Sequence, residues 1–129
     1  MKHGIWIQTS GKVEDVEING LEDMQKCVGG LIEALSIDEM KHSVSVYINE
    51  EGLINELPIN MPACLWLLRN DKWPAFTNPI HGDVLVMGCI DDEGETLSVP
   101  ENVRKEIPNM LKEPRFEVYS LNEDYTDGP

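Results

Sequence analysis

Along the first part of the chain apolar and polar residues alternate, a period that predicts strands. Residues 4–9, "GIWIQT", put Ile5 and Ile7 on one face and Trp6 on the other. "SGK" reads as a turn, and "VEDVEI" at 13–18 sets Val16 and Ile18 on one face of a second strand. So short a link predicts antiparallel pairing of the two. The period then changes to a helical one, with Leu21, Met24 and Val28 on one face. Asn19 is the expected N-cap, Glu22 and Asp23 suit the first turn, and Gly29-Gly30 stop the helix.

"LIEALSI" at 31–37 reads as a strand, with a helix as the alternative. "SVSVYI" at 43–48 is the clearest strand, with Val44, Val46 and Ile48 alternating with Ser43, Ser45 and Tyr47. Asn49 to Gly52 turn the chain, and Gly52 is expected to supply a positive φ. A second helix opens at Asn60, with Met61 and Pro62 in its first turn, and runs to Asn70. "DVLVMGCI" at 83–90 is nearly continuously apolar, which predicts a central strand covered on both faces. "DDEGE" then turns the chain and "TLSV" returns as a short strand. Ser98-Val99-Pro100-Glu101 fits a capping box for a last helix, with Val103, Ile107 and Met110 inward and Pro108 ending or kinking it. "RFEVYSL" adds an edge strand. The sum is one α+β domain over residues 1–120, with 121–129 a flexible acidic tail. Its sheet is largely antiparallel but mixed, with about five strands and two or three short helices mainly on one face.

Composition agrees: 129 residues, 41% hydrophobic and 26% charged, suit one globular domain. Charge changes the picture more. With 24 acids against 10 bases the net charge is −14. Such an excess repels nucleic-acid phosphates and anionic membrane surfaces, and it favours cationic partners. Solubility alone also accounts for it. Cys27, Cys64 and Cys89 sit among apolar neighbours without metal-ligand spacing, so reduced core thiols are expected. No run suits a signal peptide or a membrane span, so the expectation is a soluble, cytoplasmic protein.

Catalytic signatures are lacking. There is no "GxSxG", phosphate-binding loop, dinucleotide fingerprint or "HExxH". His3, His42 and His81 are far apart, and nothing in the spacing pairs a cysteine with His81. Asp91, Glu93 and Glu95 alternate like the first ligands of a calcium loop, but the closing position holds Asn102. An acidic turn is the simpler reading. No cofactor, metal or catalytic residue is expected. "WLLRNDKWPAF" is different: Trp66, Arg69 and Trp73 are residue types that anchor interfaces, although completing the core is the simpler reading of such aromatics.

In order, "VEINGLEDMQKCVGGLIEAL", "INEEGLINELPIN" and "GDVLVMGCIDDEGE" resemble a domain family of unknown function. That family is found in tailed bacteriophages, cyanobacterial phages among them, and in bacterial mobile elements. The resemblance spans residues 13 to about 95. It brings no activity, cofactor or catalytic set, and it implies a phage-type protein at work in host cytoplasm. The expected function is therefore an accessory protein that binds and modulates a host protein with a basic surface, in its sharpest form as a nucleic-acid mimic. The partner-binding residues would be Glu50, Glu51, Trp66, Arg69, Trp73, Asp91, Asp92 and Glu93. One alternative is a ligand-binding protein or enzyme with a pocket near "NEEG", "LPIN" and His81. Another is a homo-oligomer with Trp66 and Trp73 between subunits.

Overall fold

A computed structural model describes residues 2–37, 44–69 and 79–111. Its elements are β1 (Lys2–Ile7), β2 (Val13–Ile18), α1 (Leu21–Val28), β3 (Ile32–Ile37), β4 (Val44–Asn49), α2 (Met61–Arg69), β5 (Val84–Gly88) and α3 (Glu101–Leu111). The strands form one sheet in the order β2-β1-β5-β4-β3. The α+β expectation holds, and among the described residues every strand pair is antiparallel where a mixed sheet was expected.

The register follows from the apolar pattern. β5 lies at the centre and all five of its residues are buried. Val84 and Val86 face a cluster built by Ala63, Cys64, Trp66 and Leu67 of α2 and by Val103, Ile107 and Met110 of α3. Leu85 and Met87 face the other side, where Met24, Cys27 and Val28 of α1 pack with Tyr47 and Ile18. A continuous apolar run is what a strand needs when both of its faces are covered. Two helices cover one face and one covers the other.

Local details depart from the expected pattern where distant contacts decide. β1 begins two residues early, and Gln8 to Lys12 close the turn through a Gln8 N–H bond to the Lys12 carbonyl (2.9 Å). Gly20, not Asn19, occupies the N-cap of α1, without a side-chain cap. The Asp23 carboxylate instead accepts the Asn19 N–H (2.9 Å). Leu21 is 56% exposed, so the inward stripe is Met24, Cys27 and Val28. Gly29 ends α1 in the left-handed conformation (φ 81°), as a C-terminal cap should. The Ser98 hydroxyl accepts the His3 N–H (3.0 Å), and α3 starts only at Glu101, so Pro100 and not Ser98 stands at its N-cap. α3 continues through Pro108 to Leu111. "TLSV" is not among the described strands: it contributes an isolated bridge, Ile90 to Thr96, and backbone bonds that join Leu97 to Gly88 and Cys89 and Val99 to His3. The "RFEVYSL" strand and the acidic tail lie outside the described residues.

Cys27 and Cys64 are buried and Cys89 is half-buried, so only two of the three behave as core hydrophobes. Burial, then the carboxylates of Asp23, Asp83 and Glu14, push the Cys27 thiol above its ordinary value. The folded pKa is thus higher than the unfolded one. The stability this thiol contributes is complete below the ordinary thiol value and is lost as pH rises through the folded one. Urea unfolding at rising alkaline pH should show this decline, and it should shrink in Cys27→Ala. A thiol reagent at neutral pH should modify Cys89 first; equal rates at all three cysteines would contradict the burial pattern.

Candidate functional site

The loop between β4 and α2 meets the start of β5 at one end of the sheet. Asn49, the last residue of β4, is buried and fastens two segments there. Its Nδ2 donates to the Val28 carbonyl (3.1 Å) and its Oδ1 accepts the Glu51 N–H (2.8 Å). Gly52 does not supply the expected positive φ. It is glycine because a methyl group at its Cα would collide with the His81 carbonyl oxygen. The imidazole of His81 lies close by. The Leu57 carbonyl can only accept, so Nδ1 of His81 carries a proton and donates to it (2.7 Å).

The far end of the loop is fixed more firmly still. Asn60 has no exposed surface. Its Oδ1 accepts the Ala63 N–H (3.1 Å) and so caps α2, as its position in "LPINMPA" predicts. Its Nδ2 donates to the carbonyls of Ile7 (2.8 Å) and Gly82 (3.0 Å), tying α2 to β1 and to the start of β5. Backbone bonds from Asn60 to Ile80 and from Gly82 to Pro58 (2.8 Å each) complete the knot.

Between these anchors the loop projects apolar groups into solvent. Leu53 is 55% exposed and Ile54 is 78% exposed. Leu31 and Ile59 are also exposed, and the Leu31 carbonyl accepts the Glu50 N–H (2.8 Å). Glu50, Glu51 and Glu56 are exposed beside them. Glu56 holds φ 55°, a left-handed conformation sparsely populated by residues with side chains. The loop is therefore braced from below and apolar at its tip, with carboxylates around it.

The expected partner residues fall into separate places. Glu50 and Glu51 stand on this loop. Trp66 is fully buried in the core facing α3, where its Nε1 lies 3.4 Å from Glu106, and it offers no surface. Arg69 closes α2, its side chain outside the described part, and Trp73 lies outside the described residues. Asp91, Asp92 and Glu93 form a turn at the opposite end of the sheet, because β4 and β5 run antiparallel and these turns follow their C-terminal ends. There Oδ1 of Asp91 accepts the N–H groups of Glu93 and Glu95 (2.9 Å each), a structural duty. Leu53, Ile54 and Ile59 were not legible as a surface, since the loop lacks a periodic pattern that separates inside from outside.

Open-sided clefts lined by described residues accompany this framework. One, of about 220 Å³, lies at the C-terminal end of α1 and is lined by Thr9, Lys26, Cys27, Leu57, Gly82 and Asp83 among others. Asp83 Oδ1 accepts the Thr9 N–H there (3.0 Å). Another, of about 490 Å³, runs between α3 and the strands β1 and β2, where Arg104 pairs with Asp15. Among the described residues no group of three His, Cys, Asp or Glu is placed to hold a metal ion, and no helix is long and apolar enough to cross a membrane.

Neither a curated protein nor a solved structure matches the chain. A family model does match, over residues 1–112, and it covers every described element of the sheet and all three helices. The chain accordingly belongs to the family described as a domain of unknown function, DUF3846.

Proposed function

We propose that this protein is a small acidic binding module that docks its 50–59 loop onto a host protein with a basic surface. One observation carries the reading: Leu53 and Ile54 are held out in solvent by a loop whose two ends are pinned by buried asparagines. A braced loop loses little conformational freedom on binding, and exposed aliphatic groups regain their hydrophobic free energy in a partner's groove. The carboxylates of Glu50, Glu51 and Glu56 would face basic residues at the rim of that groove. The net charge of −14 would speed the encounter at low salt. The phage-type setting makes a host protein the natural partner.

Docking is favoured over nucleic-acid mimicry because the acidic turns at 50–51 and 91–93 stand at opposite ends of the sheet. A third set of acids, on β2, is partly engaged, since Arg104 pairs with Asp15.

The test compares three chains as baits in a bacterial lysate at low and high salt: wild type, Leu53→Ser/Ile54→Ser and Glu50→Lys/Glu51→Lys. The wild type should enrich a protein that the serine variant loses at both salts and the lysine variant loses chiefly at low salt. Identical protein sets on all three baits would sink the proposal. All the substituted side chains are exposed, so melting temperatures should stay close to that of the wild type.

A further inference from the structure

The two edges of the sheet differ. β2 carries Glu14, Asp15 and Glu17 within its six residues, and charge on an edge strand deters pairing with another chain. β3, "IEALSI", carries only Glu33, and among the described residues no strand pairs with its outer side. Its outward groups can be identified. The Glu50 N–H donates to the Leu31 carbonyl, and residue 31 lies opposite residue 50 in the β3–β4 register. Bonded pairs alternate in an antiparallel ladder, so residues 31, 33, 35 and 37 turn their backbone groups toward β4. Ile32, Ala34 and Ser36 therefore turn theirs outward.

We infer that this edge pairs with β3 of a second copy of the chain about a two-fold axis at Ala34. Antiparallel pairing must set outward-facing residues opposite one another, which leaves few registers. Centring on Glu33 would oppose two carboxylates, a destabilising arrangement. Centring on Leu35 leaves Ile32 without a partner inside the strand. Centring on Ala34 matches Ile32 with Ser36 of the partner subunit and Ala34 with its own copy, so every outward backbone group of the strand is bonded. Glu33 then lies across from Leu35 of the partner subunit. A two-fold axis normal to the sheet also keeps α2 and α3 of both copies on one side and α1 on the other. The contact is isologous and closes on itself.

Backbone and apolar pairing between two chains of −14 charge should strengthen as salt screens their repulsion. Binding of a basic partner by the 50–59 loop weakens with salt, so the two interactions separate cleanly. Sedimentation of the full chain over a concentration series, at about 50 mM and about 500 mM salt, should show a dimer whose dissociation constant falls several-fold at the higher salt. Ala34→Pro removes an outward N–H while sparing the β4 ladder, as proline on an edge strand can. Ala34→Glu places like charges on the axis. Both variants should be monomeric, with unchanged circular dichroism, and Leu53→Ser/Ile54→Ser should still dimerise. Hydrogen exchange at Ile32, Ala34 and Ser36 should slow as concentration rises. A wild-type monomer at the highest concentration and salt, protection of those amides independent of concentration, or an undiminished dimer in Ala34→Pro each overturns the inference.

Discussion

Replacing Trp66 with alanine is expected to lower stability by ~3–5 kcal/mol, while Trp66→Phe costs only about 1–2 kcal/mol. Trp66 has no exposed surface and packs in the cluster that joins α2 to Ile5, Ile7, Val84 and Val86 of the sheet and to Val103 and Ile107 of α3. Truncation removes the apolar burial of the largest side chain in that cluster and leaves a cavity that a rigid sheet on one side cannot fill. For a domain of this size the loss corresponds to a melting temperature lower by about 10–20 °C. Phenylalanine keeps most of the volume and gives up the weak Nε1 contact to Glu106. The experiment also decides between two roles for this tryptophan. A core residue predicts that Trp66→Phe binds the same lysate protein as the wild type at a temperature where both are folded. An interface anchor predicts a binding defect out of proportion to the change in stability. Urea unfolding and bait capture on the same preparations give both numbers, and a phenylalanine variant of full stability with lost capture would reverse the assignment.

The residues around Trp66 already carried the correct reading. Pro62, Ala63, Cys64, Trp66 and Leu67 leave α2 without a wide polar stripe, and a helix apolar on several sides is buried. The interface reading of Trp66 drew on residue type instead of pattern. Where pattern was continuous the sequence was legible: "DVLVMGCI" predicted a central strand, and β5 lies at the centre with both faces covered. The opposed faces of "SVSVYI" were legible too, since Val44 and Val46 join one cluster and Tyr47 the other. What escaped was anything set by contacts distant in sequence. Gly52 could be marked as a glycine position, but its cause is the approach of the His81 carbonyl, which no local rule contains. Where the acidic turns at 50–51 and 91–93 stand relative to one another was not legible either: the strand directions place them at opposite ends of the sheet. Exposure of Leu53 and Ile54 was hidden for a similar reason: an apolar pair in an irregular loop has no period by which to tell inside from outside.

Asn60 shows the same division within a single side chain, and it carries the second large effect. Its capping role is local, since Oδ1 bonds a backbone N–H only three residues on. Aspartate caps helices as well as asparagine does, so on that ground Asn60→Asp should be neutral. The other half of the amide decides otherwise. Nδ2 bonds the carbonyls of Ile7 and Gly82, 53 and 22 residues away in sequence. A carboxylate oxygen in its place would present lone pairs to two acceptors at a site without solvent, and burying a charge without a partner costs ~3–5 kcal/mol. The positive end of α2 offsets only a part of this, on the order of 1 kcal/mol. Burial and the two carbonyls raise the folded pKa of the new carboxyl above its unfolded value of about 3.9. The sign follows. Below the unfolded pKa the group is neutral in both states and its O–H can bond one of the carbonyls, so the deficit is smallest there. As pH rises through the folded pKa the folded state must carry the charge, and the deficit grows to its full value. Urea midpoints of the two chains measured between about pH 4 and pH 8 should therefore diverge with rising pH. Two parallel curves would mean that the site is wet or that the Nδ2 bonds add nothing. Asn60 also holds one end of the exposed loop, so Asn60→Asp should weaken capture of the lysate protein at neutral pH although residue 60 is itself buried. Capture equal to that of the wild type, at a temperature where both chains are folded, would separate the loop's binding from the bracing assigned to it.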